Sequence, residues 1–172
     1  MGSAELLADA FGRAQEEVHA AVDGLSPEQL AVRLDDDANS IAWLCWHLTR
    51  VQDDHVAGAF GVKQVWPQWR ERFGLSQNDL DGNDIGYGHN TQQVAQIQAT
   101  AGLLTGYYDA VHEQTIRLAS TVTDADLERI VDERWNPPVT LGVRLVSVIS
   151  DCLQHAGQAA FVRGIVLRRA AG

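Results

Sequence analysis

The chain has 172 residues, 45% of them hydrophobic, which suits one folded domain (residues 1–172) with a single core. The formal net charge of -10 disfavours nucleic-acid binding, because an acidic surface repels phosphate. The sequence shows no run of about 18 apolar residues, no signal-peptide pattern and no basic amphipathic helix, so we expect a cytoplasmic protein that does not bind membranes.

Four long segments repeat their apolar residues with the 3.6-residue period of an α-helix. The first predicted helix runs from about Ala4 to Val22. A short helix is expected after Ser26, because Ser is a favourable N-cap and Pro27 suits the first turn.

The second long helix is predicted to start at a cap formed by Asn39 or Ser40 and to stop at Gly61. The connection that follows runs to Asn90, and a structureless loop of that length would be unusual unless it were functional. Its aromatic residues indicate that it folds back over the helices as one wall of a binding site: Trp66, Trp69 and Phe73.

The third predicted helix runs from about Thr91 to Ser120, and the fourth is capped by Thr140 and runs to about Arg169. We find no convincing strand pattern or internal repeat. Four long amphipathic helices of similar length predict an all-α four-helix bundle, with the long connection between the second and third of these helices.

Asp151 and His155 lie four residues apart on the fourth predicted helix, so they share one face with Cβ atoms about 6 Å apart. A carboxylate and an imidazole at this spacing can chelate one metal ion. The best candidate for a third ligand is His47, in the most apolar part of the second helix, because bundle sites are built from facing helices. The spacing alone leaves open a buried His–Asp hydrogen bond beside an unrelated core His47.

Other polar residues have structural and functional interpretations. Asp54 and His55 lie about two turns beyond His47, roughly 11 Å along the helix, which is too far to share its metal and indicates rim positions. Arg163 is expected to form an ion pair with a carboxylate of a neighbouring helix, with substrate binding as the alternative. His89 is either at the mouth of a pocket or in a solvated loop.

Cys45 and Cys152 are the two cysteines, and both lie within apolar helical patterns. This indicates reduced, buried thiols in a cytosolic protein, with metal ligation or reactivity as the alternative. Cys45 precedes His47 by two residues and is rotated about 200° from it, so we expect it to face away from a metal bound there.

Two segments resemble the signature regions of the DinB-like superfamily: NSIAWLCWHLTRVQDDHV (39–56) and SVISDCLQHAGQAAFVRG (147–164). The similarity is most specific around Trp-His-Leu and H-x-G-Q-x-x-x-x-R. The superfamily includes metal-dependent thiol transferases and the N-terminal domain of mycothiol-dependent maleylpyruvate isomerase.

The resemblance implies that His47, Asp151 and His155 bind one divalent metal ion, with zinc expected and nickel, manganese or iron as alternatives. Asp151 departs from the family pattern, which has His or Glu at this position. Because Asp is one methylene shorter than Glu, it would bind after a small helix shift, bind through water, or not bind.

The function implied by the resemblance is a metal-dependent S-transferase that joins a low-molecular-weight thiol to a small electrophile. Lys63 is the only lysine among the 13 basic residues. That bias is typical of GC-rich coding and favours mycothiol over bacillithiol or glutathione. The alternatives are a mycothiol-dependent isomerase, which usually carries a further C-terminal domain, a metal-dependent hydrolase, and a non-enzymatic metal-binding bundle. The sequence does not determine the oligomeric state, and a homodimer is one alternative.

Overall fold

The computed structural model describes residues 1–76 and 85–171 of the chain. These residues contain six α-helices. Their bounds are α1 Ser3–Val22, α2 Pro27–Leu30, α3 Ile41–Phe60, α4 Thr91–Gln96, α5 Ala101–Ala119 and α6 Leu141–Ala171. Short 3₁₀ turns occur at Trp66–Gln68, Arg70–Phe73 and Ala125–Glu128. The described chain is therefore mostly helical, as predicted.

The ends of the early helices follow the residues that the sequence marks. The Ser26 hydroxyl accepts a hydrogen bond from the backbone N–H of Gln29, and the Ser40 side chain accepts one from the N–H of Trp43. Gly61 ends α3 in the left-handed region at φ 66°, a conformation that glycine adopts without steric cost. These caps satisfy backbone groups that have no partner inside the helix.

The predicted third helix is divided into two helices. Backbone helicity ends at Ile97, which is extended with ψ 95° and buried, and α5 begins after Thr100. The Thr100 hydroxyl accepts a hydrogen bond from the N–H of Leu103, so a new N-cap forms inside the segment predicted as one helix.

A small sheet precedes α6, although no strand was predicted. Strand β1 (Ile130–Asp132) pairs antiparallel with β2 (Val139–Thr140). Strands of three and two residues are too short to show an alternating pattern, so the sequence gives no period to detect.

The four long helices pack pairwise. The most extensive contact is between α3 and α6, and α1 packs against both α5 and α6. Along α3, even polar side chains such as Arg50, Gln52 and Asp53 are buried. Polar groups on this helix therefore need partners within the protein. Among the described residues, no helix is long and apolar enough to cross a membrane.

The first part of the long connection folds back over the helices, as expected. Asp53 accepts hydrogen bonds from the backbone N–H groups of Val65 and Trp66, at 2.9 and 2.7 Å. The Trp66 ring lies 5.3 Å from the ring of Tyr107, and the Arg50 guanidinium lies 4.9 Å from the Trp66 ring centre. A buried ion pair on α3 thus fixes the start of the connection, whose residues 77–84 lie outside the described part.

Candidate metal centre

The contact between α3 and α6 brings three side chains together. His47 comes from α3, and Asp151 and His155 come from α6. Each offers one ligand atom, and these atoms all lie within 4.8 Å of one another. In residues 1–76 and 85–171, no other group of at least three His, Cys, Asp or Glu side chains meets this condition.

His47 is held as a neutral imidazole. Its Nδ1 lies 2.5 Å from the carbonyl oxygen of Ile85. Because a carbonyl only accepts hydrogen bonds, Nδ1 carries the proton and Nε2 keeps its lone pair for a metal. The side chain is 5% exposed, and burial lowers the pKa of His47 to about 4.

The ring of His47 is also fixed by close packing. Trp43 stacks on it, with ring centres 4.6 Å apart and planes 12° from parallel. Gly86 has φ +86°, and a Cβ there would lie 2.7 Å from Cζ3 of Trp46 and 3.1 Å from Nδ1 of His47. The segment that supplies the Ile85 carbonyl therefore needs glycine next to it, both for its backbone angle and for space.

His155, like His47, uses Nδ1 in a hydrogen bond and keeps Nε2 available for a metal. Its Nδ1 lies 2.8 Å from Oε1 of Gln158, which accepts the Nδ1 proton. Its Nε2 lies 3.6 Å from Oδ1 of Asp151, and its ring centre lies 4.9 Å from that of His47. A second partner on Nδ1 is the usual means of orienting a metal-binding histidine.

Asp151 contains an unsatisfied buried atom. Its Oδ2 is buried and has no hydrogen-bond partner in the described structure. Burial raises the pKa of Asp151, although the charge of nearby His155 acts in the opposite direction. Leaving a carboxylate oxygen unpaired is costly, and a divalent cation would satisfy it. Two imidazoles and one carboxylate are a donor set that suits zinc and related divalent metals.

Two cavities open on opposite sides of the three side chains. The α3-start cavity, of about 620 Å³, includes Asn39, Leu44, Gln154, Gly157, Gln158 and Phe161 in its lining. The α3-end cavity, of about 200 Å³, includes Asp54, His55, Gly58, Asp132, Arg134 and Arg144. The start of α3 thus faces the later part of α6, and its end faces the beginning of α6. The two helices therefore run antiparallel, with the candidate metal centre between the cavities.

Three interpretations made from the sequence can now be compared with the structure. Arg163 donates to the backbone carbonyl of Asp23 at 2.6 Å, so the expected ion pair with a carboxylate was wrong. His89 accepts a hydrogen bond from Nε1 of Trp43 at 3.1 Å and stacks on Trp46. His89 therefore packs on the indoles around His47.

Trp66 is buried beside Tyr107 and lines neither of these two cavities. This argues against the expectation that Trp66 forms one wall of a binding site.

The two thiols match the expectation of buried, reduced cysteines. Cys45 and Cys152 are free and buried. Burial raises the pKa of Cys45 to about 12, and it also raises the pKa of Cys152. Neither side chain is among the three that converge at the candidate metal centre.

The sequence interpretation missed the groups that orient the histidines. The carbonyl of Ile85 belongs to a residue 38 positions from His47, and backbone groups leave no mark in a sequence. The one available signal was Gly86, whose place in Gly-Tyr-Gly-His indicates a backbone with unusual angles. Gln158 could have been found from its spacing, since it lies three residues after His155 on one helix face.

Comparisons with known proteins show the family and the fold of this chain. Residues 6–166 match the model of a family described as mycothiol-S-transferase. The chain is also similar to a solved structure described as a conserved protein of locus from Enterococcus faecalis. The sequences are 27% identical, and the TM-score is 0.87 over 97% of this chain and 98% of that one. No curated protein matches the chain. The matched residues include all three side chains of the candidate metal centre.

Proposed function

Because the chain belongs to the mycothiol-S-transferase family, a DinB-like family, we propose that it is a metal-dependent enzyme that transfers mycothiol to a small electrophile. The observation that carries the proposal is the convergence of His47, Asp151 and His155 within 4.8 Å. The pairwise contacts of α1, α3, α5 and α6 support a four-helix bundle as the scaffold.

The three side chains lie close enough together to hold the ion once they draw in around it. The Ile85 carbonyl and Gln158 each bind an Nδ1 proton, so Nε2 is the nitrogen that each imidazole has available for the ion. Asp151 adds negative charge, and its buried Oδ2 otherwise has no partner. We propose zinc as the ion, because three nitrogen and oxygen ligands form the usual protein part of a catalytic zinc site.

A divalent ion at this centre supplies the Lewis acidity that keeps a thiol deprotonated at neutral pH. The reacting sulfur has to come from a cosubstrate, since burial raises the pKa of both cysteines of this chain. His47 is enclosed, whereas the Asp151 and His155 side chains are 31% and 21% exposed. A small thiol would therefore approach from the side of α6, while Trp43 and the Ile85–Gly86 segment keep water from the far side of the His47 ring.

The direct test is conjugation of a bimane- or chlorodinitrobenzene-type electrophile by protein purified without a polyhistidine tag. We expect turnover with mycothiol, loss of turnover with a chelator, and recovery with added zinc. The advantage over the uncatalysed reaction should shrink above about pH 8.5, where a free thiol ionises unaided. Equal rates with and without chelator, for mycothiol, bacillithiol, glutathione and cysteine alike, would reject metal-activated thiol transfer and favour the non-enzymatic alternative.

A further inference from the structure

The α3-end cavity lies about two helical turns from the candidate metal centre, and none of the three converging side chains lines it. On α3, His55 lines this cavity and follows His47 by eight residues, which is about two turns. On α6, Arg144 lines the cavity and precedes Asp151 by seven residues, which is about two turns on the same face. Two turns correspond to roughly 11 Å, so a molecule that reaches from the metal centre into this cavity must be longer than cysteine.

The cavity is built around a buried carboxylate. Asp132 is 9% exposed and accepts hydrogen bonds from Nε and Nη2 of Arg134 and from Nη2 of Arg144, each at 2.9 Å. A guanidinium has five N–H groups, and Arg144 uses Nη2 in this pair, so further N–H groups remain on a side chain that lines the cavity. Asp54 adds a second carboxylate to the lining.

The charges of the lining compensate one another. Two carboxylates, Asp54 and Asp132, line the cavity together with two guanidiniums, Arg134 and Arg144. Such a site offers strong donors and strong acceptors without a net charge, which suits hydroxyl groups because each hydroxyl both donates and accepts. It gives no advantage to a ligand with several carboxylates, and the net charge of -10 on the whole chain opposes such a ligand.

We propose that the α3-end cavity binds the uncharged, hydroxylated carbohydrate part of the thiol cosubstrate while the sulfur lies at the metal centre. This inference rests on the proposed function and deepens it. It selects a thiol carried on a neutral polyol, as in mycothiol, over glutathione and bacillithiol, both of which carry carboxylates. Arg144 and Asp132 would bind the hydroxyl groups of the carbohydrate. Arg134 would cover the outer side of the cavity.

Gly58 provides a way to block the cavity without removing a native interaction. It lies in α3 and lines the cavity, and a Cβ at this position would meet no atom within 4 Å. Gly58→Leu should therefore fill the cavity while the ion pairs of Asp132 stay intact. Gly157 is the matched position in the α3-start cavity, since it lies on α6 and a Cβ there also meets nothing within 4 Å.

The first measurement uses a probe that contains no sulfur. N-acetylglucosaminyl-inositol should bind the metal-free wild-type protein and Gly157→Leu with equal affinity in calorimetric titrations. Gly58→Leu should bind it at least about tenfold more weakly, which corresponds to the loss of one hydrogen bond to a charged group. Equal binding to Gly58→Leu and wild type, or weakening by Gly157→Leu alone, would overturn the assignment of this cavity.

The second measurement separates this inference from the proposed function. With metal-loaded protein, Gly58→Leu should raise KM for mycothiol about tenfold and leave KM for N-acetylcysteine unchanged, since the smaller thiol lacks the carbohydrate. If Gly58→Leu changed neither KM, the cavity assignment would fail while thiol transfer stood. If no protein transferred any thiol but the probe still bound to wild type and not to Gly58→Leu, the proposed function would fail and the carbohydrate site would stand.

Discussion

The Nδ1–H of His47 donates to the carbonyl oxygen of Ile85, a residue that lies 38 positions later in the chain and beyond the long connection. This contact makes the orientation of a candidate metal ligand on α3 dependent on the backbone immediately before α4. Gly86, the next residue, lets that backbone lie against the His47 ring.

Replacing Gly86 by alanine should weaken metal binding. An added Cβ would lie 2.7 Å from Trp46 and 3.1 Å from Nδ1 of His47, so the segment must move and take the Ile85 carbonyl with it. We expect affinity for zinc to fall by between about 10- and 100-fold, as for other losses of a partner behind a metal ligand. Competition with a chromophoric chelator measures this change.

Gly88→Ala is the matched control, because Gly88 also has positive φ, +76°, but a Cβ there meets nothing within 4 Å. Both substitutions strain the backbone, and only Gly86→Ala presses on His47. Equal losses of zinc affinity in the two variants would show that backbone strain, and not the contact with His47, is responsible.

Removal of either histidine should abolish tight metal binding while the fold is kept. His47→Ala and His155→Ala each delete one of three converging ligand atoms. Asp151→Asn keeps the size of the side chain but removes its charge, so it should weaken binding if the carboxylate reaches the ion directly. His19→Ala is the control, since His19 pairs with Asp109 between α1 and α5. Unchanged metal content in His47→Ala, measured by elemental analysis, would eliminate the proposed site.

Asp151 should affect stability with opposite sign in the two metal states. Without metal, its buried Oδ2 has no partner, so Asp151→Ala should raise the free energy of unfolding by about 1 kcal/mol despite the lost packing. With saturating zinc the same substitution should lower stability, because a ligand that binds only the native state stabilises it in proportion to its affinity. Urea unfolding with and without zinc measures both values. A variant less stable than wild type in both states would show that Asp151 has an unrecognised structural partner.

The two cysteines should be dispensable for metal binding and transfer. Cys45→Ala and Cys152→Ala remove thiols that are buried and whose pKa values are raised by burial. Each should lose some stability, since the smaller side chain leaves a gap in the core. Metal content and turnover per folded molecule should equal those of wild type. Loss of the metal from a folded Cys45→Ala protein would require a new assignment of the ligands.

The candidate site could be proposed from sequence because its three residues lie on helices with clear periodicity. The four-residue spacing of Asp151 and His155 fixes a shared face, and the family resemblance selects His47 as their partner. The break at Ile97 could not be predicted, because it depends on a Thr100 cap inside a helical pattern. The hydrogen bond between Arg163 and the backbone carbonyl of Asp23 could not be predicted either. Every residue has a backbone carbonyl, so the sequence does not mark which one accepts.

Asp132 gives a prediction about pH and stability that is independent of any metal. Its hydrogen bonds with Arg134, together with the charges of Arg134 and Arg144, hold the pKa of Asp132 well below its ordinary value of 3.8. The unfolded state therefore takes up a proton at a higher pH than the folded state. The stabilisation is fully present above the ordinary pKa and is lost as pH falls through the lower pKa of the folded protein.

Asp132→Asn should be less stable than wild type by a constant amount between about pH 5 and pH 7, because the carboxylate is ionised throughout this range in both states of the wild type. The difference should shrink as pH falls below about 4, where the unfolded wild type becomes protonated. Chemical unfolding of metal-free protein at a series of pH values tests this. A gap that widened on acidification would mean that Asp132 is protonated in the folded protein and that its pairs with the two arginines do not stabilise the fold.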